Sequence, residues 1–145
     1  HHGTCHVLGG TAGVPHGIAN SIVLPHAIRY NSDQLADLIA MAGEAMGIVR
    51  DGRSDQAVAE ATADAVYELV SQLNVPQRLR DADVTESLLP RLAENMLLSG
   101  SVCDNPKPVA TIKDAMSILR AALPRCPTHS RKRQPSMKEH NHARL

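Results

Sequence analysis

An all-α fold, a bundle of helices around one core, is what this sequence predicts. From Asn31 onward apolar residues recur every three to four positions, and strand-like alternation bounded by turn residues is hard to find. Pro and Gly stand where the periodic runs stop. The two aromatic residues, Tyr30 and Tyr67, leave the core to Leu, Ile, Val, Ala and Met. At 145 residues and 43% hydrophobic content, the chain can bury such a core without disulfides or a stapling metal.

In order along the chain, His1 to Leu8 reads as the end of a helix, and Gly9-Gly10 would terminate it in a tight reversal. His16, just after Pro15, would open the returning helix, and Leu24-Pro25-His26 the one after it. Leu35, Leu38, Ile39, Ala42 and Met46 form one stripe, entered through Asn31 and Ser32 as caps and closed by Gly47. Ser54 to about Leu73 follows, with Val58, Thr62, Val66, Leu69, Val70 and Leu73 facing inward until Asn74-Val75-Pro76 stops it. Asp83 with Glu86 three residues on reads as a capping box for a helix burying Leu88, Leu89, Leu92, Met96 and Leu97, ended by Ser99-Gly100. Two X-Pro pairs make 103–108 a loop. Thr111 with Asp114 starts a last helix through Ile112, Ala115, Met116, Leu119 and Leu123.

The domain this defines is 1–124. Beyond it the composition turns to Arg, Lys, His, Ser and Pro, too poor in apolar groups to offset the entropy of ordering, so 125–145 reads as a disordered basic tail. Fifteen basic residues balance fifteen acidic ones, which gives no reason to expect nucleic acid or a membrane surface as partner. Nothing resembles a membrane span or a cleavable leader, so a cytoplasmic location is expected. Cys5, Cys103 and Cys126 are odd in number, without CxxC spacing, and read as free thiols.

Five of the eight histidines fall within the first 31 residues, and that clustering is the main chemical signal. His2 and His6, four apart on a helix, share a face, and a glycine reversal would bring His16 back toward them. Imidazoles held by neighbouring helices are how bundle metal sites are built. Two histidines are too few for a complete site, so the other ligands must come from elsewhere, and the lack of Asp or Glu within residues 1–31 fits a site whose other ligands precede residue 1. The same histidines could instead cap helix carbonyls, or belong to an expression tag. The glycines match no phosphate-loop pattern.

His2-x3-His6-x2-Gly9-Gly10, followed by Val14-Pro15-His16-Gly17-Ile18-Ala19-Asn20 and Leu24-Pro25-His26-Ala27-Ile28-Arg29-Tyr30-Asn31, resembles the signature of iron-containing alcohol dehydrogenases. Asn105-Pro106-Lys107-Pro108 resembles a segment near that family's C-terminus, and together the motifs cover about 1–123. The opening His1-His2-Gly3-Thr4-Cys5-His6 is most similar to the maleylacetate reductases of the family, whereas Gly17-Ile18-Ala19-Asn20 follows its general form.

The resemblance implies the helical C-terminal domain of such an enzyme, with its N-terminal α/β nucleotide-binding domain absent from this sequence. It implies His2 and His16 as ligands of a divalent metal, Fe or Zn, completed by an upstream Asp and His. His6 would lie beside the nicotinamide of NAD or NADP and relay a proton. His26 would be structural, and Cys103 falls near a family cysteine close to the nicotinamide. The implied reaction is hydride transfer between nicotinamide and a small-molecule alcohol, aldehyde or oxoacid, a maleylacetate reductase being one form. The expected partners are that substrate, the missing nucleotide-binding domain and, as a homodimer, a second copy. A helical binding module without catalysis is the competing reading. A severed domain face would expose apolar residues around His2 and His16.

Overall fold

The structure, a computed structural model, describes residues 1–123. The tail read over 125–145, with Cys126 and three histidines, lies outside the described residues. Within them every regular element is helical, as the apolar periodicity predicts: α1 (His2–Ala12), α2 (His16–Asn31), α3 (Ala36–Ala45), α4 (Asp55–Ser71), α5 (Leu89–Leu97), the single turn α6 (Gly100–Cys103) and α7 (Ile112–Ala122). Short 3-10 turns occupy Leu79–Ala82 and Glu86–Leu88. None of these helices is long and apolar enough to cross a membrane.

The first helix does not stop at Gly9-Gly10. It runs through both to Ala12, and Gly13, at φ 69, is the left-handed residue that ends it. Gly13 N–H donates to the Gly9 carbonyl and Val14 N–H to the Leu8 carbonyl, which satisfies the last turn. Glycine inside a helix costs only about 0.5–1 kcal/mol. Burial of Cys5 and Leu8 on the core outweighs it.

Nor does a new helix begin at His26. α2 continues through Pro25, which withholds one backbone hydrogen bond and crowds the preceding turn, a cost of about 3 kcal/mol. Ile22, Val23, Pro25 and Ala27 are all buried on the same helix, and that packing holds it together.

α3 departs most from its expected stripe. It buries Ala40 and Gly43, while Leu38 and Met46 are 57% and 49% exposed. The cause lies in how closely α3 approaches α4: a Cβ on Gly43 would fall 2.0 Å from Thr62 Oγ1, so only small residues fit that face. Asn31 and Ser32 complete the end of α2 rather than capping α3, whose N-cap is Leu35. Gly47, at φ 95, does close the turn after α3.

In α4 Ser54 is the N-cap, Ala57 N–H donating to its Oγ, and Val58, Thr62, Val66 and Val70 are buried as expected. Leu69 and Leu73, expected inside, are more than half exposed. Asp83 forms no capping box; at φ 61 it closes a 3-10 turn, and α5 starts six residues later with Pro90 in its first turn, where a missing N–H costs nothing. Ser99 caps α6 instead of ending the helical path. The capping box of Thr111 and Asp114 forms as expected, with Asp114 N–H donating to Thr111 Oγ1 and Thr111 N–H to Asp114 Oδ2.

The main core joins α1, α2, α5, α6 and α7 through Cys5, Leu8, Ile22, Leu92, Met96 and Leu119, among others. α3 and α4 pack on each other, and α4 leans on α2. α2 is therefore the element shared by both parts, and it carries His16 at its first position.

Candidate functional site

α1 places His2 and His6 one turn apart, and α2 brings His16 against both. Ring centroids lie 4.5 Å apart for His2 and His6, 5.0 Å for His2 and His16, and 5.1 Å for His6 and His16. His2 meets each of the others edge to face. His6 Nε2 and His2 Nε2 are 3.0 Å apart, so one ring donates and the other accepts. All three residues are exposed. The sequence-predicted constellation is thus one cluster on the surface, and no other side chain separates His2 from His16.

Whether a cation fits can be judged from the donors. His2 and His16 offer imidazole nitrogens from two different helices, a donor type suited to Fe and Zn. Among the described residues no group of three or more His, Cys, Asp or Glu side chains is disposed to hold a metal by itself. The cluster therefore fits a partial site, two nitrogens of a larger ligand set, and His2 must give up its bond to His6 if it ligates through Nε2.

His1 points elsewhere. Its Nε2 is buried without a partner, beside a small cavity lined by Thr4, Tyr30, Asn31, Val102 and Asn105. His26 lies along α2 against Tyr67 of α4, ring centroids 6.4 Å apart, and does not join the other three. Burial, helped by the positive charge of Arg29, pushes its imidazole down to about 4. Arg29 itself pairs with Asp64 across α2 and α4.

Two cysteines are placed. Cys5 is fully buried, and burial raises its thiol to about 11, which leaves it inert near neutrality. Cys103 is exposed, with Sγ donating to the Leu97 carbonyl at 3.4 Å. The large exposed apolar side chains are Leu38, Met41, Met46 and Val49 on α3 and the turn after it, Leu69 and Leu73 at the end of α4, Leu98 just after α5 and Ile112 at the start of α7.

Tyr30, Asn31 and Asn105 to Pro108, which lie in separate motifs of the sequence, meet in the fold. Asn105 Nδ2 donates to Asn31 Oδ1 at 2.7 Å, Lys107 N–H donates to the same oxygen at 3.3 Å, and Tyr30 Oη donates to the Pro108 carbonyl at 2.9 Å. Lys107 Nζ lies over the Tyr30 ring and bonds Asp33. The available signal was two Asn residues, each in a motif and each at the edge of a helix.

Known proteins resemble this chain over most of its length. It is 37% identical over 122 residues to the 1,3-propanediol dehydrogenase of Citrobacter freundii, which covers 84% of this chain and 31% of that protein. It is 34% identical to the lactaldehyde reductase of Escherichia coli K12 (83% and 31%) and 30% identical to the maleylacetate reductase of Pseudomonas sp. strain P51 (85% and 31%). A crystal structure of 1,3-propanediol oxidoreductase superposes with a TM-score of 0.78 at 35% identity, covering 84% of this chain and 32% of that one. The chain thus spans about a third of the length of these relatives. With the pattern described as "Fe-containing alcohol dehydrogenase family, C-terminal" matching residues 1–123, the chain belongs to the Fe-containing alcohol dehydrogenase family as its C-terminal, helical part.

Proposed function

We propose that this chain is the metal-binding part of an NAD(P)-linked alcohol dehydrogenase or carbonyl reductase and acts only together with a nucleotide-binding domain. The observation that carries this reading is the meeting of His2, His6 and His16 at ring separations near 5 Å. When bound, a divalent metal, Fe or Zn, would supply Lewis-acid polarisation of an alcohol or carbonyl oxygen, and a nicotinamide, NAD or NADP, would be the hydride partner.

His2 and His16 contribute two nitrogen donors, and the remaining donors come from outside residues 1–123. Each must be neutral to ligate, so affinity falls in acid. His6, next to them and open to water, takes a proton at Nε2 from the reacting hydroxyl and hands it to solvent; in the reverse direction it returns one. The rigid hairpin of α1 and α2 holds the three rings in place before substrate arrives, which is where a fold contributes most to such a reaction.

Over comparable lengths, identity is 37% across 122 residues and 34% across 121 to the proteins named for propanediol and lactaldehyde, against 30% across 123 to the maleylacetate reductase of Pseudomonas sp. strain P51, and Gly17-Ile18-Ala19-Asn20 follows the general family form. A small hydroxy-aldehyde or diol is accordingly the favoured substrate class over an oxoacid.

The test is complementation. Mixed or co-expressed with the N-terminal two thirds of a family enzyme such as the propanediol dehydrogenase, the chain should restore oxidation of NADH or NADPH by 3-hydroxypropanal or lactaldehyde, and His16→Ala should abolish it. No restored oxidation with a folded, associated pair, or full activity in the variant, overturns the reading.

A further inference from the structure

The segment 99–108 touches both helices that carry the clustered histidines. On the α1 side contact is made at Gly3, which is buried: a Cβ there would fall 2.8 Å from Val102 Cγ2 and 3.0 Å from both the carbonyl carbon and the Cβ of Ser101. Nothing larger than hydrogen fits without moving the helix. On the α2 side contact is made by the Asn105–Asn31 pair, the Lys107 N–H bond to Asn31 and the Tyr30 bond to Pro108.

The segment is stiff enough to transmit position from one side to the other. Val102 N–H and Cys103 N–H both donate to the Ser99 carbonyl, Asp104 N–H to the Gly100 carbonyl and Asn105 N–H to the Val102 carbonyl. Val102 is buried in the main core. Close-packed interiors pass on displacements rather than absorbing them.

α1 and α2 are linked along the chain by the short turn at 13–15 and pack on each other in the main core. A turn fixes where two helices meet but leaves the angle between them to packing. His2 stands at the end of α1 away from that turn, where a small change of angle moves it furthest.

We propose that the segment 99–108 is a bracket that fixes the angle between α1 and α2, and that Gly3 is the positioning residue through which it sets the spacing of the His2 and His16 rings. Calling that spacing a metal-ligand spacing rests on the function proposed above; the bracket itself does not. His6 rides on the same helix as His2 and keeps its 3.0 Å contact whatever the angle, whereas His16 does not. Loss of the bracket therefore has a selective signature: cross-helix contacts change and the intrahelical one stays.

The experiment is proton NMR of the whole 145-residue chain without metal or nicotinamide, reading cross-relaxation between imidazole C–H protons. The unaltered chain should give all three peaks among His2, His6 and His16. Gly3→Ala should lose the His2–His16 peak and keep His2–His6, and adding Val102→Ala, which removes the nearest methyl, should restore it at least in part. Asn105→Ala, which frees the α2 side without adding bulk, should weaken the same cross-helix peak and serves as the test should Gly3→Ala not fold. Retention of the His2–His16 peak at full intensity in folded Gly3→Ala, or in Asn105→Ala, overturns the bracket. Because no metal enters the readout, that result is separate from failure of complementation, which overturns the function instead.

Discussion

Asn31 and Asn105, 74 positions apart in sequence, face each other carboxamide to carboxamide, with Asn105 Nδ2 donating to Asn31 Oδ1 at 2.7 Å and Asn31 Nδ2 directed at Asn105 Oδ1 at 3.4 Å. Asn105 Nδ2 also donates to the Lys107 carbonyl, and Asn31 Nδ2 to the Ala27 carbonyl. Both side chains are half-buried, so their groups cannot all turn to water if one partner goes. Asn105→Ala should lower stability by about 1–2 kcal/mol in urea unfolding, the cost of leaving such groups without partners. Asn31→Ala with Asn105→Ala should cost clearly less than the two singles added, and strict additivity would mean the pair carries no coupling.

A second prediction concerns acid. His26 is pushed down to about 4 in the folded chain because it is half-buried beside Tyr67 and faces the charge of Arg29, while an unfolded histidine titrates near 6.5. Between those values the unfolded chain binds the proton and the folded chain does not, so stability is fully present above about 6.5 and falls as pH drops toward 4. Allowing for solvent screening of a group that is only partly enclosed, the loss should be about 1–2 kcal/mol. His26→Gln should flatten that part of the stability curve in urea titrations at pH 7, 5.5 and 4. An equal slope in the variant would place the acid sensitivity elsewhere.

Glycine positions separate two kinds of effect. Gly10 lies inside α1, exposed, with nothing near a Cβ, so Gly10→Ala should raise stability by about 0.5–1 kcal/mol by lowering the entropy lost on folding. Gly43 lies against Thr62 of α4, and Gly43→Ala should cost about 1–3 kcal/mol or more by forcing α3 away. Thermal unfolding followed by circular dichroism reads both, and a stabilised Gly43→Ala would show that α3 is looser than its packing implies.

Those glycines also show what was legible in the sequence. Periodicity carried the helical class, since Val58, Thr62, Val66 and Val70 are spaced by the geometry of one helix face and need no partner to be recognised. The helix start at Thr111 was legible for the same reason: its capping bond closes within three residues. What failed depended on distant residues. Leu38 and Met46 look like core by spacing, but Thr62 comes so close that only Gly43 and Ala40 can lie between the helices. Pro25 and Gly9-Gly10 look like breaks, but buried neighbours hold the helices through them. The histidine cluster was legible because His2 and His6 share one helix and His16 follows one short turn, whereas the Asn31–Asn105 pair bridges 74 positions and leaves no local trace.

The two free thiols in the described residues should behave oppositely. Cys103 is exposed and Cys5 is fully buried with its thiol raised to about 11, so a thiol reagent at pH 8 should label Cys103 in the folded chain and Cys5 only after unfolding. Peptide mapping after brief labelling distinguishes them. Early labelling at Cys5 would mean that α1 opens locally at low cost, which its full burial in the main core argues against.

The three histidines should divide in their roles when the chain is tested in the complemented enzyme. His2 and His16 present nitrogens from separate helices, so losing either removes a donor that no neighbouring carboxylate can replace: residues 1–31 contain no Asp or Glu. His2→Ala and His16→Ala should therefore bring bound metal down to background by elemental analysis. His6 bonds His2 on the same helix and lies in the open, a place suited to proton traffic, so His6→Ala should keep the metal and lower kcat by about 10²-fold or more. Metal loss in His6→Ala equal to that in His16→Ala would assign all three rings to the cation and leave the proton to be carried by a group outside residues 1–123.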